Sequence, residues 1–302
     1  MFSIWFKSAK SIAIPTKGIF PVLNFECSTK GGVMLPDHLR GLNLRPSGLT
    51  TIEGRTINVW EFAPPTDSEI LDSWAMHFRR QYCSDEELPF LMDGTGMTVE
   101  QYMNAHVFPD KTRAPGPSIR SGDFAEFLIS DYLEFMLNLW VPRGKYSDKA
   151  SNNESVKGVD ILGFYQVDNA SSNPNDALFA FEVKASLSGS VYSGQLQSAV
   201  DDGSKDEHLR QGVTLNATKR RLLREGKSLD ASRISRFQNP SDNPYSYHSG
   251  AVAVLCETAF NEEELAKTLA AGHSNQSALS LIVVCSHLQM KLVHELYARA
   301  CK

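Results

Sequence analysis

The sequence lacks the motifs that identify several common enzyme classes. It has no G-x-x-x-x-G-K-[ST] stretch, so we do not expect this chain to hydrolyse ATP, and any motor would have to be another subunit. Its eight histidines show no H-x-x-x-H or H-E-x-x-H spacing, and no serine lies in G-x-S-x-G. Zinc hydrolase and serine hydrolase chemistry therefore lack support.

Cysteine is also scarce, and no long apolar run opens the chain. The five cysteines form an odd set without C-x-x-C spacing, which favours neither a disulfide framework nor a zinc site and suggests a reducing compartment. Lys7, Lys10 and Lys17 interrupt the first twenty residues before a signal peptide or a membrane span can form. We expect a cytoplasmic protein whose first residues form a strand, with no membrane association.

The sequence has no excess of basic residues. Its formal net charge is −5, so contact with nucleic acid would depend on local clusters of lysine and arginine or on a partner. With 302 residues and 42% hydrophobic content, the chain can bury a large core as one α/β domain or two smaller ones.

A Pro/Gly-rich run, "FPDKTRAPGPSIR" (Phe108 to Arg120), is the clearest boundary signal. Before it, short β-like segments such as "RTINVWEF" are followed by an amphipathic helix from Thr66, with Ile70, Trp74 and Phe78 four residues apart. We therefore predict an N-terminal α+β region over residues 1–115 and a second domain over residues 116–302.

The second region alternates helical and strand patterns. From Ser121 the order is α, β, β, then α, β, α, β, α, with "GVDILGFYQV" and "LFAFEVKAS" as the first two strands. Strands that alternate with helices at this spacing predict an α/β fold with a mixed sheet and parallel crossovers.

Three charged residues on these two strands carry the chemistry. Asp160 precedes Glu182 by twenty-two positions, and Glu182 and Lys184 point to the same face of one strand because side chains alternate. Two carboxylates in a mostly dry place repel each other unless a cation neutralises them, and hard oxygen ligands select Mg²⁺ or Mn²⁺. Such a site is suited to phosphodiester hydrolysis, with the lysine positioning water or stabilising negative charge.

The motifs "GVDILGF" and "FEVK" resemble the D…E-x-K signature of the PD-(D/E)xK, or restriction-endonuclease-like, nucleases. The resemblance implies an αβββαβ core and an acidic residue on the first core helix, which is Glu126 here, with Asp123 as the alternative. The order of "SGDFAEFL", "VKGVDILGF" and "FEVKAS" is similar, over roughly residues 115–300, to the HamA family of bacterial Hachiman antiphage systems.

The resemblance also implies a function and a partner. It implies a metal-dependent DNA nuclease that acts with a helicase subunit, HamB, for which residues 1–115 could form the docking surface. Asp160 and Glu182 would bind the metal with support from Glu126, and these three with Lys184 would be the catalytic residues.

Other interpretations stay open. A cluster of Lys219, Arg220, Arg221 and Arg224 could grip DNA phosphates, or could simply complement the dipole at the end of a helix. The E-x-K pair could be an ordinary surface ion pair. Gln195 and Gln197 could orient the scissile phosphate, but we interpret them as hydrophilic loop residues. The alternatives in function are a non-catalytic nucleic-acid-binding or assembly subunit on the same fold, and a DNA-repair nuclease.

Overall fold

A computed structural model of the chain describes residues 34–205, 207–287 and 290–302. The strand expected in the first twenty residues lies outside the described residues. Within the described ranges, one mixed six-stranded sheet has the order β1-β2-β6-β5-β4-β3. Its strands are β1 (Leu42–Arg45), β2 (Ile57–Phe62), β3 (Ile161–Tyr165), β4 (Ala177–Ser186), β5 (Ser246–Cys256) and β6 (Leu279–Ser286).

The middle of the sheet is parallel and its two outer pairs are antiparallel. Strands β2, β6, β5 and β4 run in parallel, whereas β1 pairs antiparallel with β2 and β3 pairs antiparallel with β4. This arrangement confirms the predicted α/β class and the mixed sheet with parallel crossovers.

Helices cover both faces of the sheet. They are α1 (Ser68–Arg79), α2 (Leu88–Met92), α3 (Val99–Tyr102), α4 (Gly116–Asp131), α5 (Gln195–Ser204), α6 (Glu207–Arg224), α7 (Ser228–Ser235), α8 (Glu262–Ala266) and α9 (Met290–Arg299). Helix α1 begins where the sequence predicts it, because the Asp67 side chain accepts hydrogen bonds from the first free N–H groups. Among the helices in the described ranges, none has both the length and the apolar character needed to span a membrane.

Side chains of β4 divide between two cores. Phe179, Phe181 and Val183 pack into a core that also contains residues of α1, α4 and α9. Leu178 and Ala180 face the opposite side, where residues of α6 and α7 cover them. The two-residue alternation of a strand therefore places Glu182 and Lys184 on the α6 side of the sheet.

Residues on both sides of the predicted boundary share one sheet. β2 lies between β1 and β6, and residues of α1 and α9 belong to the same apolar core. Pro115 directly precedes the first residue of α4. The described part of the N-terminal region is therefore continuous with the rest of the fold, and its role in partner docking stays a prediction.

The strand order after α4 differs in one detail from the order that the resemblance implies. Two strands, β3 and β4, separate α4 from α5, instead of three. Beside β3 stands a single bridge, in which the backbone N–H groups of Trp140 and Phe164 each donate to the other's carbonyl at 2.8 and 2.9 Å. The position of a third strand is thus reduced to one residue pair.

Candidate active site

Asp160 and Glu182 lie side by side at the end of the sheet where β3 begins. Ile161, the first residue of β3, pairs with Phe181, so the preceding residue Asp160 comes next to Glu182. The backbone N–H of Val183 donates to Asp160 Oδ2 at 2.9 Å, which holds the aspartate against β4. The structure therefore brings together the two carboxylates that the sequence paired.

Glu182 is buried and contacts two cations. Its Oε1 accepts from Lys184 Nζ at 3.0 Å and its Oε2 accepts from Arg210 Nη2 at 2.9 Å. Lys184 also reaches Asp202 Oδ2 at 2.8 Å, on the neighbouring α5. Lys184 thus stands between two carboxylates, one buried at the end of the sheet and one nearer the surface.

Glu126 approaches the same place from the other face of the sheet, on α4. Its Oε2 accepts a hydrogen bond from the Tyr146 hydroxyl and forms an ion pair with Lys145 Nζ. Lys145 Nζ also donates to the backbone carbonyl of Asp160. Lys145 therefore links the helix carboxylate to the start of β3.

Asp123, the alternative to Glu126, is engaged elsewhere. Its Oδ2 accepts from the Tyr82 hydroxyl at 2.6 Å and pairs with Lys149 Nζ at 2.5 Å. Burial raises the pKa of Asp123 to about 6, although Lys149 opposes that shift. Of the two acids, Glu126 is the one that shares a cation with Asp160.

The electrostatics of the site concentrate on Asp160. Burial raises its pKa well above the usual value, and the charges of Glu126 and Glu182 raise it further, while Lys145 and the Val183 N–H oppose the shift only in part. Burial works to lower the pKa of Lys184, but its hydrogen bond to Asp202 and the carboxylate of Glu182 outweigh burial, so the pKa lies above its usual value. Asp160, whose negative charge the nearby cation offsets only in part, thus lies in the same site as Lys184, which stays charged.

The donor atoms fit a hard divalent cation in kind. Carboxylate oxygens are the ligands that Mg²⁺ and Mn²⁺ prefer, and the raised pKa of Asp160 is the expected mark of acids that need more positive charge. Within the described ranges, however, no group of three or more His, Cys, Asp or Glu residues is close enough to form a ready metal site. Asp160 and Glu182 would hold such a cation, and Glu182 already contacts Lys184 and Arg210.

Sequence analysis missed three residues of this site. Lys145 and Tyr146 belong to a 3₁₀ turn, Lys145–Asp148, and Arg210 lies on α6, where it donates to the Gly158 carbonyl at 2.7 Å as well as to Glu182. No local pattern marks them, because each meets its partner across 15 or more residues. The one available signal was that the predicted site contained three carboxylates and a single lysine, which implied that further cations were needed.

The predicted basic cluster on α6 is not gathered around the carboxylates. Lys219 Nζ contacts Gln238 at 3.1 Å, and Arg220 is exposed. Arg221 is buried and donates to Asp148 Oδ2 at 3.2 Å, and Arg224 pairs with the other oxygen of Asp148. Two of the four residues therefore hold a carboxylate of the protein itself.

The two glutamines after β4 lie in a helix, which corrects their interpretation as loop residues. Gln195 begins α5 and donates to Ser193 Oγ at 2.7 Å. Gln197 donates to Asp201 Oδ1 at 2.7 Å, on the same helix. Leu196, Ala199 and Val200 bury the inner face of α5, and that spacing was the signal that could have predicted the helix.

Comparison with known proteins gives one match. A family model described as HamA matches residues 42–300, which include every residue of the site. No curated protein and no solved structure matches the chain.

Proposed function

The chain belongs to the HamA family, and from that premise we propose that it is the nuclease effector of a bacterial antiphage defence complex. In this proposal it hydrolyses DNA in the cytoplasm with Mg²⁺ or Mn²⁺, by PD-(D/E)xK chemistry, and acts with a helicase subunit. The observation that carries the proposal is the meeting of Asp160, directly before β3, with Glu182 and Lys184 on β4, while Glu126 approaches from α4.

Each residue has a role that follows from its position. Asp160 and Glu182 hold the metal, and Glu126 supports them through Lys145, which it shares with the Asp160 backbone. When bound, the cation would polarise the phosphodiester and lower the pKa of a water molecule. Lys184 keeps its charge and stabilises the negative charge that develops on the phosphate, or positions the attacking water.

The hydrolysis itself needs no further group from the protein. The water oxygen forms a bond to phosphorus and its proton passes to bulk water, while the bond from phosphorus to one sugar oxygen breaks and that oxygen takes a proton from bulk water. Because the net charge of the chain is −5, electrostatic attraction of DNA to the whole surface is weak. Delivery of DNA to the site by a helicase partner supplies what the chain's own charge does not.

A second function, a non-catalytic nucleic-acid-binding or assembly subunit, is favoured by a specific observation. Glu126 is already paired with Lys145, and Glu182 with Lys184 and Arg210. A site that is satisfied by its own cations can persist without metal. Metal binding therefore separates the two functions.

The test is cleavage of plasmid and linear DNA in Mg²⁺, Mn²⁺ or EDTA, by the chain alone and with a helicase encoded beside it. The variants are Glu182→Ala and Lys184→Ala, with Lys205→Ala as a matched control, because Lys205 pairs with the same Asp202 at 2.7 Å but is exposed. We expect metal-dependent cleavage in the wild type and in Lys205→Ala, and loss of at least about 10³-fold in the other two.

Two outcomes would contradict the proposal. Absence of cleavage in every condition, together with no heat of Mg²⁺ or Mn²⁺ binding in calorimetry, would favour the non-catalytic subunit. Failure of the tagged chain to retain a helicase from its native host would remove the partner from the proposal while leaving the nuclease to be judged by cleavage.

A further inference from the structure

The segment 144–149 reaches both helices that flank the candidate site. From its near end, Lys145 and Tyr146 contact Glu126, and Lys145 also contacts the Asp160 backbone. From its far end, Asp148 contacts α6 and Lys149 contacts Asp123 on α4. The segment is therefore a strap between α4, the start of β3 and α6.

The connection to α6 is made by two arginines that both donate to one carboxylate, that of Asp148. Arg221 Nη1 lies 3.2 Å from Asp148 Oδ2, and Arg224 Nη2 pairs with Asp148 Oδ1. The Arg221 side chain is only 5% exposed, so its charge cannot reach DNA in solution without leaving this contact. The buried arginine and Asp148 together fix the distance between α6 and the strap.

The backbone of the strap is shaped for this geometry. Gly144 has φ +86°, which favours glycine, and a Cβ there would lie 3.5 Å from Glu225 Oε1, next to Arg221. The Ser147 N–H donates to the Gly144 carbonyl at 3.2 Å and closes the 3₁₀ turn. Lys145, Asp148, Asp160 and Arg221 all border one cavity of about 130 Å³.

We propose that Asp148 and Arg221 are positioning residues for the hydrolysis, acting through Lys145 and Tyr146 on Glu126 and Asp160. The inference rests on the proposed function and assigns one residue of the predicted DNA-binding cluster, Arg221, to the interior of the site instead. A displacement of about 1 Å at a reacting group can lower the rate by on the order of 10²-fold. The Asp148–Arg221 contact holds the strap whose Lys145 contacts Glu126 and Asp160, so loosening that contact is expected to lower the cleavage rate measurably.

The experiment compares Asp148→Asn with Asp148→Glu and with a matched control, Asp230→Asn. Asp230 is about as exposed as Asp148 and also pairs with an arginine, Arg233, at 3.1 Å, but both members of that pair lie on α7. We expect Asp148→Asn to lower the single-turnover cleavage rate at saturating DNA by about tenfold, Asp148→Glu to recover most of that rate, and Asp230→Asn to change it less than twofold.

DNA affinity and its salt dependence give the decisive contrast. If Arg221 and Arg224 hold the strap and do not bind DNA, Asp148→Asn leaves the DNA dissociation constant within about twofold of wild type. If they serve DNA, removing their internal partner frees them, DNA binds more tightly, and the dependence of affinity on salt becomes steeper. The second result would overturn the proposal.

Hydrogen exchange of the amides in 144–149 separates this inference from the proposed function. We expect faster exchange there in Asp148→Asn and no change in Asp230→Asn. Faster exchange with an unchanged cleavage rate would overturn the positioning role and leave the nuclease intact. No cleavage by the wild type would overturn the proposed function, and the positioning role with it, whatever the exchange shows.

Discussion

Two aspartates, Asp131 at the end of α4 and Asp160 directly before β3, have opposite electrostatic surroundings. Asp131, the last residue of α4, is fully buried and accepts from His38 Nε2 at 2.9 Å, His77 Nε2 at 3.0 Å and Arg143 Nη2 at 2.7 Å. Burial works to raise its pKa, but Arg143 and the two histidines outweigh burial, so the pKa lies far below the usual range.

Asp160 is in the opposite situation. Burial raises its pKa, the charges of Glu126 and Glu182 raise it further, and Lys145 opposes the shift only in part. Burial acts in the same direction on both carboxylates, so the surrounding charges make the difference: cationic and neutral donors surround Asp131, and other acids lie near Asp160. A carboxylate left among other acids is the pattern expected at a functional site.

The largest expected effect comes from Asp160→Asn. Since an asparagine carbonyl still accepts from the Val183 N–H, the fold should persist, while the rate of DNA cleavage falls by at least about 10³-fold. In EDTA the unfolding free energy should stay equal or rise, because one of three mutually repelling charges is gone.

The matched control for this substitution is Asp201→Asn, an exposed acid on α5 that contacts Gln197. It should leave both cleavage and stability unchanged. If Asp160→Asn destabilised the protein as strongly as a substitution at Asp131, the two carboxylates would not differ in kind and the comparison would fail.

How much of this could be predicted from the sequence depends on the distance over which each residue finds its partners. The strand alternation of "FAFEVKAS" and its spacing from Asp160 were enough to pair Asp160 with Glu182, because neighbouring strands impose that register. Apolar periodicity was likewise enough to predict α1 and the part of α4 after Ser121, whereas the first turn of α4, from Gly116, lies in the Pro/Gly-rich run and was not predicted. These elements could be predicted because strand alternation and helical periodicity are visible within short stretches of the sequence.

The rest depended on tertiary contacts. Arg210 lies in a polar stretch of α6 that reads as a solvent-facing surface, and it meets Glu182 twenty-eight positions away. From the sequence, Arg221 was predicted to belong to a DNA-binding cluster. Its carboxylate partner, Asp148, is seventy-three positions away, so no local pattern shows that the two residues meet. A charge pattern shows which residues need partners, but it does not show which partner the fold supplies.

Asp131→Asn is expected to have the next largest effect, on stability instead of cleavage. It leaves the partly buried Arg143 short of one countercharge next to the fully buried position 131, and costs about 3 kcal/mol of unfolding free energy in urea denaturation. Glu134→Gln removes the other carboxylate that pairs with Arg143. The Glu134 side chain is about one-third exposed, so this substitution should cost less than about 1 kcal/mol of unfolding free energy. Equal costs for the two substitutions would show that burial does not set the contribution of Asp131.

The pH dependence of stability sharpens the same contrast. Because the pKa of Asp131 is lowered in the folded state, its contribution is complete above the unfolded value of about 3.9 and is lost as the pH falls below it. Between about pH 4.5 and 2.5, the wild type should therefore lose about 1–2 kcal/mol more stability than Asp131→Asn. Parallel pH profiles of the two proteins, measured by urea denaturation, would contradict the assignment.

The smallest expected effect separates the two histidines that bind Asp131. His77 is about one-third exposed, so water can replace its hydrogen bond, and His77→Ala should cost about 0.5–1 kcal/mol. His38 is almost fully buried and stacks on Trp74 with ring centroids 4.9 Å apart, so His38→Ala should cost at least about twice as much in the same denaturation experiment. A larger cost at His77 than at His38 would mean that exposure does not decide how much each hydrogen bond to Asp131 contributes to stability.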